Sequence, residues 1–331
     1  MINPIAKLNE KILSSDVEQK TTREGFGEGT VLAGKEDSNI VMLCADITES
    51  VKASTFRNAF PDRFVETGIA EQNLMGLAAG MALVGKVPFV ATYAVFSPGR
   101  NWDQLRVSVC YSKANVKIVG AHTGVSVGPD GATHQALEDI AITRCLPNLV
   151  VIAPCDAIES KKSTYAAAKH VGPVYLRFER EKTPIMTTED SPFEIGKAIV
   201  WRDADKPVVA IIGCGPILYN AMLAAEELAQ EGIEIMVINN HTIKPMDNVT
   251  IIEAAKKCGA IVTIENHQVA GGMGSAVAEI LATNYPVPIE FVGVKDRFGE
   301  SGQPEELIKI FKLDKDSIKE AVKKVIARKA M

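Results

Sequence analysis

The sequence predicts an α/β protein built on parallel sheets with helices on both faces, and three observations carry that prediction. Segments of helical periodicity alternate with short runs rich in Val and Ile, the pattern that lays parallel strands side by side with crossover helices between them. Several of the β-rich runs are continuously apolar, as in NLVVIAP from Asn148 to Pro154, which suits strands covered on both faces. The composition, 47% hydrophobic and 23% charged over 331 residues, is that of a globular chain with room for two such units.

Residues 1–20 read as a polar helical arm ahead of the first unit. From Thr21 the alternation begins, with a helix over Gly25–Ala33 and a strand over Ile40–Cys44. In the stretch Arg63–Gly85 a short extended piece leads into a helix from Ala70, on which Leu74, Leu77, Ala78, Met81 and Ala82 share a face. That pattern predicts a buried helix, with Gly76 and Gly80 letting another backbone come close. A strand over Val87–Val90, a helix over Asp103–Cys110, and strands over Val116–Val119, Leu149–Ala153 and Val174–Leu176 complete the unit, placed at 21–185. The pattern lapses between Glu181 and Phe193, a stretch with two prolines and mixed charge, so residues 186–195 are expected to link it to a second, smaller α/β unit over 196–331. There the strands are Val208–Ile212, Glu234–Ile238, Ala260–Ile264 and the run IEFVGV. Helices over Ile217–Gln230 and Val249–Lys257 separate them, and a basic amphipathic helix ends near Ala330. Gly213 and Gly215 follow the Val208 strand but lack the third glycine of a dinucleotide loop, and the next strand ends in Asn239 and Asn240 rather than an acid.

A net charge of −5 with dispersed Lys and Arg points to neither nucleic acid nor an anionic membrane as partner. No apolar run approaches the roughly 20 residues that span a bilayer, and the first residues lack the apolar centre of a signal peptide, so a cytoplasmic protein is expected. The six cysteines are widely spaced with no CxxC pair and read as reduced core residues.

Chemistry-bearing residues gather after the strands of the first unit. Glu71 stands at the start of a helix entering an apolar interior, where the dipole favours its charge and burial opposes it. His122, Asp130 and His134 share one strand-to-helix loop with Gly124, Gly128 and Gly131, which suits backbone folded close to a ligand and points to binding or acid/base work. Their spacing matches no common metal site, and no metal is expected on this chain. Tyr93, Phe96 and Trp102 follow another strand and suit either core packing or the wall of a flat heterocycle. Arg177 and Arg180 carry forks suited to phosphate or carboxylate, or to ion pairs with Glu179 and Glu181.

These residues lie in motifs that resemble a known family. The run Arg63–Pro184 resembles the pyrimidine-binding domain of thiamine diphosphate enzymes, and of transketolase in particular. GIAEQNLMG is similar to the segment carrying that family's glutamate, and HTGVSVGPDGATHQALED with LPNLVVIAPCDA matches without gaps. HTIKPMD and ENHQVAGGMGS resemble the transketolase C-terminal domain. The resemblance implies that Glu71 protonates the far ring nitrogen of the cofactor's aminopyrimidine, making the opposite amino group basic enough to deprotonate the thiazolium carbon. It gives Tyr93, Phe96 and Trp102 the role of aromatic wall, and Asp46 in CADIT a place near the thiamine. It implies that His122, His134 and Asp130 meet sugar hydroxyls and phosphate, and that Arg23 in TTRE, Ser50 and Arg180 bind sugar phosphate. An extra residue in SPGR interrupts the match just before Arg100 and Trp102.

Transketolase holds its diphosphate and divalent metal, magnesium or another, through a GDG motif on a separate domain, and no GDG occurs in this sequence. The resemblance thus implies one subunit of a split enzyme. An N-terminal partner would carry that motif in an α2β2 heterotetramer, with the C-terminal domain of this chain serving dimerisation. Three other readings share the fold. A 2-oxo-acid dehydrogenase β subunit would need no sugar-phosphate clamp of the kind Arg23, His122 and Arg180 suggest. A split deoxyxylulose-phosphate synthase would lack the histidine at 122, and a non-catalytic paralogue would have lost Glu71.

Overall fold

In a computed structural model that describes residues 1–329, the chain forms two main sheets. The first has seven strands in the spatial order Thr242–Lys244, Val150–Ile152, Val174–Arg177, Lys117–Ala121, Val87–Tyr93, Ile40–Cys44 and Phe64–Glu66. All are parallel except Thr242–Lys244, which comes from the second half of the chain and pairs antiparallel with Val150–Ile152. The second sheet runs Ile289–Val294, Ile261–Gln268, Val209–Gly213, Ile235–Asn239 and Ile199–Arg202, the last antiparallel. The strands predicted at Ile40–Cys44, Val174–Leu176 and Val208–Ile212 form at Ile40–Cys44, Val174–Arg177 and Val209–Gly213 and are buried along their length, as their apolar runs foretold. The Thr242 edge strand and the Ile199 strand have no counterpart among the predicted elements. The predicted end of the last helix near Ala330 lies outside the described residues, which carry that helix from Lys315 to Lys329.

Local sequence explains where the first helix begins. Thr21 and Glu24 in TTRE form a capping box: the Thr21 side chain accepts from the Glu24 backbone amide, and the Glu24 carboxylate accepts from the Thr21 amide at 2.9 Å. The helix Thr22–Glu36 therefore starts one residue before Arg23 and aims it at the strand ends. It also crosses the helix Ala157–Lys169 closely, since a Cβ at Gly25 would lie 1.9 Å from the Ala157 carbonyl oxygen.

Four expectations are corrected. Residues 1–20 form no helical arm. Pro4–Ala6 make one 3-10 turn, the side chains of Asn3 and Asn9 accept from the amides of Ile5 and Lys11, and Gln19–Thr21 pair as a strand with Lys182–Pro184. Such side chain to backbone bonds compete with helix, and the segment instead packs Ala6 and Ile12 against Trp201 and Met186. Next, the Glu71–Leu83 helix is buried on one side only: Leu74, Met75, Ala78 and Ala79 face the core, whereas Leu77 is exposed and Gly76 and Gly80 have open space in front of them. The helix predicted at Asp103 is a single α-turn that widens into a π-type helix over Leu105–Tyr111. Finally, five cysteines are buried and all six are free, but Cys145 is exposed. Among the described residues no helix is long and apolar enough to cross a membrane.

Candidate functional site

The parallel strands of the first sheet end on a common edge, and the polar residues singled out in the sequence follow those ends. Two of them hold a backbone that L side chains rarely adopt: Asp46, after Ile40–Cys44, and His122, after Lys117–Ala121, both have φ of 58°. Each costs about 1 kcal/mol or more against an ordinary conformation, and such strain concentrates at functional sites. The Asp46 turn is braced by Glu66, whose carboxylate accepts from the amides of Asp46 at 2.7 Å and Gly68 at 3.0 Å and from the Thr48 hydroxyl.

Glu71 is 3% exposed at the first turn of its helix. Its carboxylate accepts from Arg100 Nη1 at 2.7 Å, and the buried Asn101 donates to its carbonyl. The half-exposed Arg100 guanidinium lies 4.6 Å above the Phe96 ring. Phe96 is near-parallel to Tyr93 with centroids 6.0 Å apart, and His134 meets both rings edge-on. The Tyr93 hydroxyl and Ser50 Oγ are 2.7 Å apart, and His122 lies beneath, its ring 3.9 Å from that of Tyr93 and its Nε2 3.4 Å from Ser50 Oγ.

His122 is 1% exposed with no partner for Nδ1. Burial first, then Arg23, Arg180 and His134, push its pKa down to about 2, so it is a neutral imidazole at any working pH. Arg23 donates to the carbonyl oxygens of Ser50 and Arg180, leaving its Nε free, and both burial and the neighbouring Arg180 lower its pKa. Arg180 donates to the Val127 carbonyl at 2.6 Å and stands 3.8 Å from Asp130. Two guanidiniums set beside one another, with an aromatic and imidazole floor, suit a doubly charged oxyanion and the hydroxyls next to it.

Thus Glu71, Tyr93, Phe96, Ser50, His122, His134, Arg23, Arg180 and Asp130 are joined by side-chain contacts into one row along the strand ends, the candidate cleft, with Asp46 exposed on a neighbouring turn. Trp102 stands apart from this row: its Nε1 donates to the Ile142 carbonyl at 2.7 Å and its ring packs on the core. Arg177 is fully buried on Asp139 at 2.9 Å, which leaves Arg180 as the arginine that reaches the cleft. Sequence reasoning left Arg100 without a role and did not see Glu66. The signal for Glu66 was its place two residues before Gly68, at a strand end facing CADIT.

Comparison with known proteins agrees with this geometry. Residues 18–186 match the family described as transketolase, pyrimidine binding domain, and residues 196–318 match transketolase, C-terminal domain. A protein of Methanocaldococcus jannaschii provisionally named transketolase C-terminal section is 42% identical over 90% of this chain and 94% of its own. The 6-deoxy-6-sulfo-D-fructose transketolase subunit of a Clostridium species is 38% identical over 95% of this chain and 97% of its own. A solved structure titled split gene transketolase, inactive beta4 tetramer, superposes with a TM-score of 0.87 at 44% identity, covering 93% of this chain and 98% of that one. A carboxylate sunk at a helix start near an aromatic pair accords with the two domain matches over residues 18–186 and 196–318, and with relatives 42% and 38% identical over 90% or more of the chain, which together place it in the transketolase family.

Proposed function

We propose that this chain is the C-terminal subunit of a split transketolase, moving a two-carbon ketol unit from a ketose phosphate to an aldose phosphate once an N-terminal subunit supplies the diphosphate and metal half of the site. The observation that carries this reading is the unbroken row of contacts that leads from Glu71 and the Phe96 ring through Tyr93 and Ser50 to Arg23 and Arg180. The residues fit the pyrimidine half of thiamine diphosphate: a buried carboxylate able to share a proton with a ring nitrogen, and an aromatic ring over which the half-exposed guanidinium of Arg100 lies. The cofactor, once bound, supplies the carbon nucleophile. Glu71 holds the proton at the ring nitrogen, and Tyr93 and Phe96 orient the ring, with Asp46 beside it. The neutral His122, with His134 and Asp130, orients the sugar hydroxyls, and Arg23, Ser50 and Arg180 hold the phosphate.

The partner reading rests on the outward face of the Glu71 helix. Gly76 and Gly80 lie open there, and Leu83 and Val84, at the far end of the helix from Glu71, are 75% and 78% exposed, which leaves an apolar surface. The N-terminal subunit, with its GDG motif and a magnesium or similar divalent ion, would seat on it. Two copies of each chain would make the assembly. Because one relative carries a sulfosugar in its name, the clamp has two candidate anions, phosphate and sulfonate. The test is a coupled assay of ketol transfer from xylulose 5-phosphate, or from 6-deoxy-6-sulfofructose, to an aldose phosphate, with thiamine diphosphate and magnesium. Turnover only when both chains are mixed is the expected result. Turnover by this chain alone removes the partner, and none with either donor removes transketolase chemistry.

A further inference from the structure

The cleft does not hold itself together. The loop Gly124–Asp130 lies between the second unit and the site, where Pro304 packs on Gly128 and, among the described residues, the side-chain hydrogen bonds from that unit come from Asn266, at the end of the Ile261–Gln268 strand. Asn266 is 2% exposed, and both polar atoms of its side chain and its carbonyl are engaged. Its Oδ1 accepts from the Val125 amide at 2.9 Å, and its Nδ2 donates to Glu179 Oε2 at 3.0 Å and to Ser126 Oγ at 3.3 Å. Arg177 donates to its carbonyl at 2.8 Å, and Ser126 in turn donates to Glu179 Oε2 at 2.8 Å. Gly124, with φ of 76°, presses against this amide so closely that a Cβ would lie 2.2 Å from Asn266 Nδ2.

We infer that Asn266 is a positioning residue of the sugar-phosphate cleft, acting through the Gly124–Asp130 loop, so that the second unit contributes to substrate binding rather than only to assembly. The path is short. Asn266 fixes Val125 and Ser126, the next carbonyl, Val127, accepts from Arg180, and Arg180 stands against Asp130 and beneath Arg23. Only an amide meets the demand at this point. Val125 N–H needs an acceptor and the Glu179 carboxylate needs a donor, both within one short side chain; a carboxylate would repel Glu179, and an alkyl group would leave buried polar atoms bare.

This inference rests on the transketolase reading, and its test separates the two. In the isolated full chain, hydrogen exchange of the Val125–Asp130 amides needs no substrate. Asn266→Ala is expected to speed it at least tenfold while the Lys117–Ala121 and Ile261–Ile264 strands keep their protection. Equal loss throughout the second unit, or no change in the loop, overturns the positioning role. In the mixed complex the same variant is expected to raise KM for the sugar phosphate about tenfold with kcat and thiamine diphosphate affinity close to wild type; a fall in kcat at unchanged KM overturns it. Should Asn266→Ala fail to fold, Gly124→Ala strikes the same contact from the loop side and must give the same KM signature. An inactive wild-type complex would sink the transketolase reading alone, because the exchange result still decides whether Asn266 holds the loop.

Discussion

The two sheets are built alike and used differently at their carboxyl edges. Both place polar side chains at the ends of parallel strands, Asp46, Glu66, Tyr93 and His122 on the first and Asn239, Glu265, Asn266 and His267 on the second, the kinds of side chain that bind ligands in open α/β sheets. At the edge of the first sheet Asp46 is exposed, and Ser50, Tyr93, Phe96 and His134 remain half-buried around a cleft. On the second sheet Asn239, Asn240, His241, Glu265, Asn266 and His267 are all 2% exposed or less, shut against the first unit. Asn239 donates to Glu159 at 2.7 Å, Glu265 accepts from the amides of Met273 and Gly274, and His241 stacks on Phe193 at 4.3 Å. The rule that strand ends gather ligands therefore acts only where the edge is left open. A covered edge spends the same residues on joining two units.

The largest effect that tests this division is at Glu71. Glu71→Gln keeps the volume and the acceptor for Arg100 but cannot pass a proton, so kcat of the mixed complex is expected to fall about 10²- to 10⁴-fold, with the melting temperature near wild type. Stability lost in step with activity would place Glu71 among the structural residues instead. Next comes the junction. Asp139 accepts from Arg177 at 2.9 Å and from the Tyr175 hydroxyl at 2.8 Å, all fully buried. Asp139→Ala strands the Arg177 charge and is expected to cost about 3–5 kcal/mol of unfolding free energy by urea titration. A variant of undiminished stability that lost turnover would show the covered edge to be part of the site.

Much of the open edge was legible. Periodicity and apolar runs placed the strands of the first sheet, and the residues after them were then the candidates, because strand ends can be read from sequence while their accessibility cannot. The covered edge was legible only as motif: HTIKPMD hides an edge strand, Thr242–Lys244, that crosses to the first sheet, since three residues carry too little pattern to announce a pairing so far away in the chain. Trp102, which packs on the core, and Gly76 and Gly80, which face open space, show one limit of the sequence. Sequence spacing tells which residues share a face, and the neighbouring elements decide whether that face looks inward.

A pH measurement sharpens the contrast at smaller scale. Burial holds His241 neutral, its pKa pushed down to about 3 from 6.5, while in the unfolded chain it takes up a proton. The folded state therefore loses stability as pH falls from about 6.5 towards 3, by about 2 kcal/mol at pH 5 from this residue. His241→Phe keeps the stacking on Phe193 and removes that proton uptake, so the gap between urea midpoints at pH 7.5 and pH 5 should narrow, with His267, pushed down to about 4, keeping part of it. An unchanged gap would mean that His241 is already protonated in the fold. His122 is neutral too, so turnover in the complex should show no limb near pH 6.5 that Gln at 122 abolishes.

The smallest effect concerns Arg100, and it tests how open the first edge is. Its guanidinium pairs with Glu71 and covers Phe96, the two groups proposed to take the aminopyrimidine, so it must leave for the cofactor to enter. The pair is half-exposed at Arg100 and buried at Glu71, which sets it at the upper end for solvent-reached pairs, about 1 kcal/mol, a small barrier to displacement. Arg100→Ala should therefore tighten thiamine diphosphate binding to the mixed complex by no more than about fivefold in a fluorescence titration, the equivalent of about 1 kcal/mol. Weaker binding would mean that Arg100 moves with the cofactor and holds it. The edge would then be less a ready-made cleft than one that its own arginine closes until the ligand replaces it.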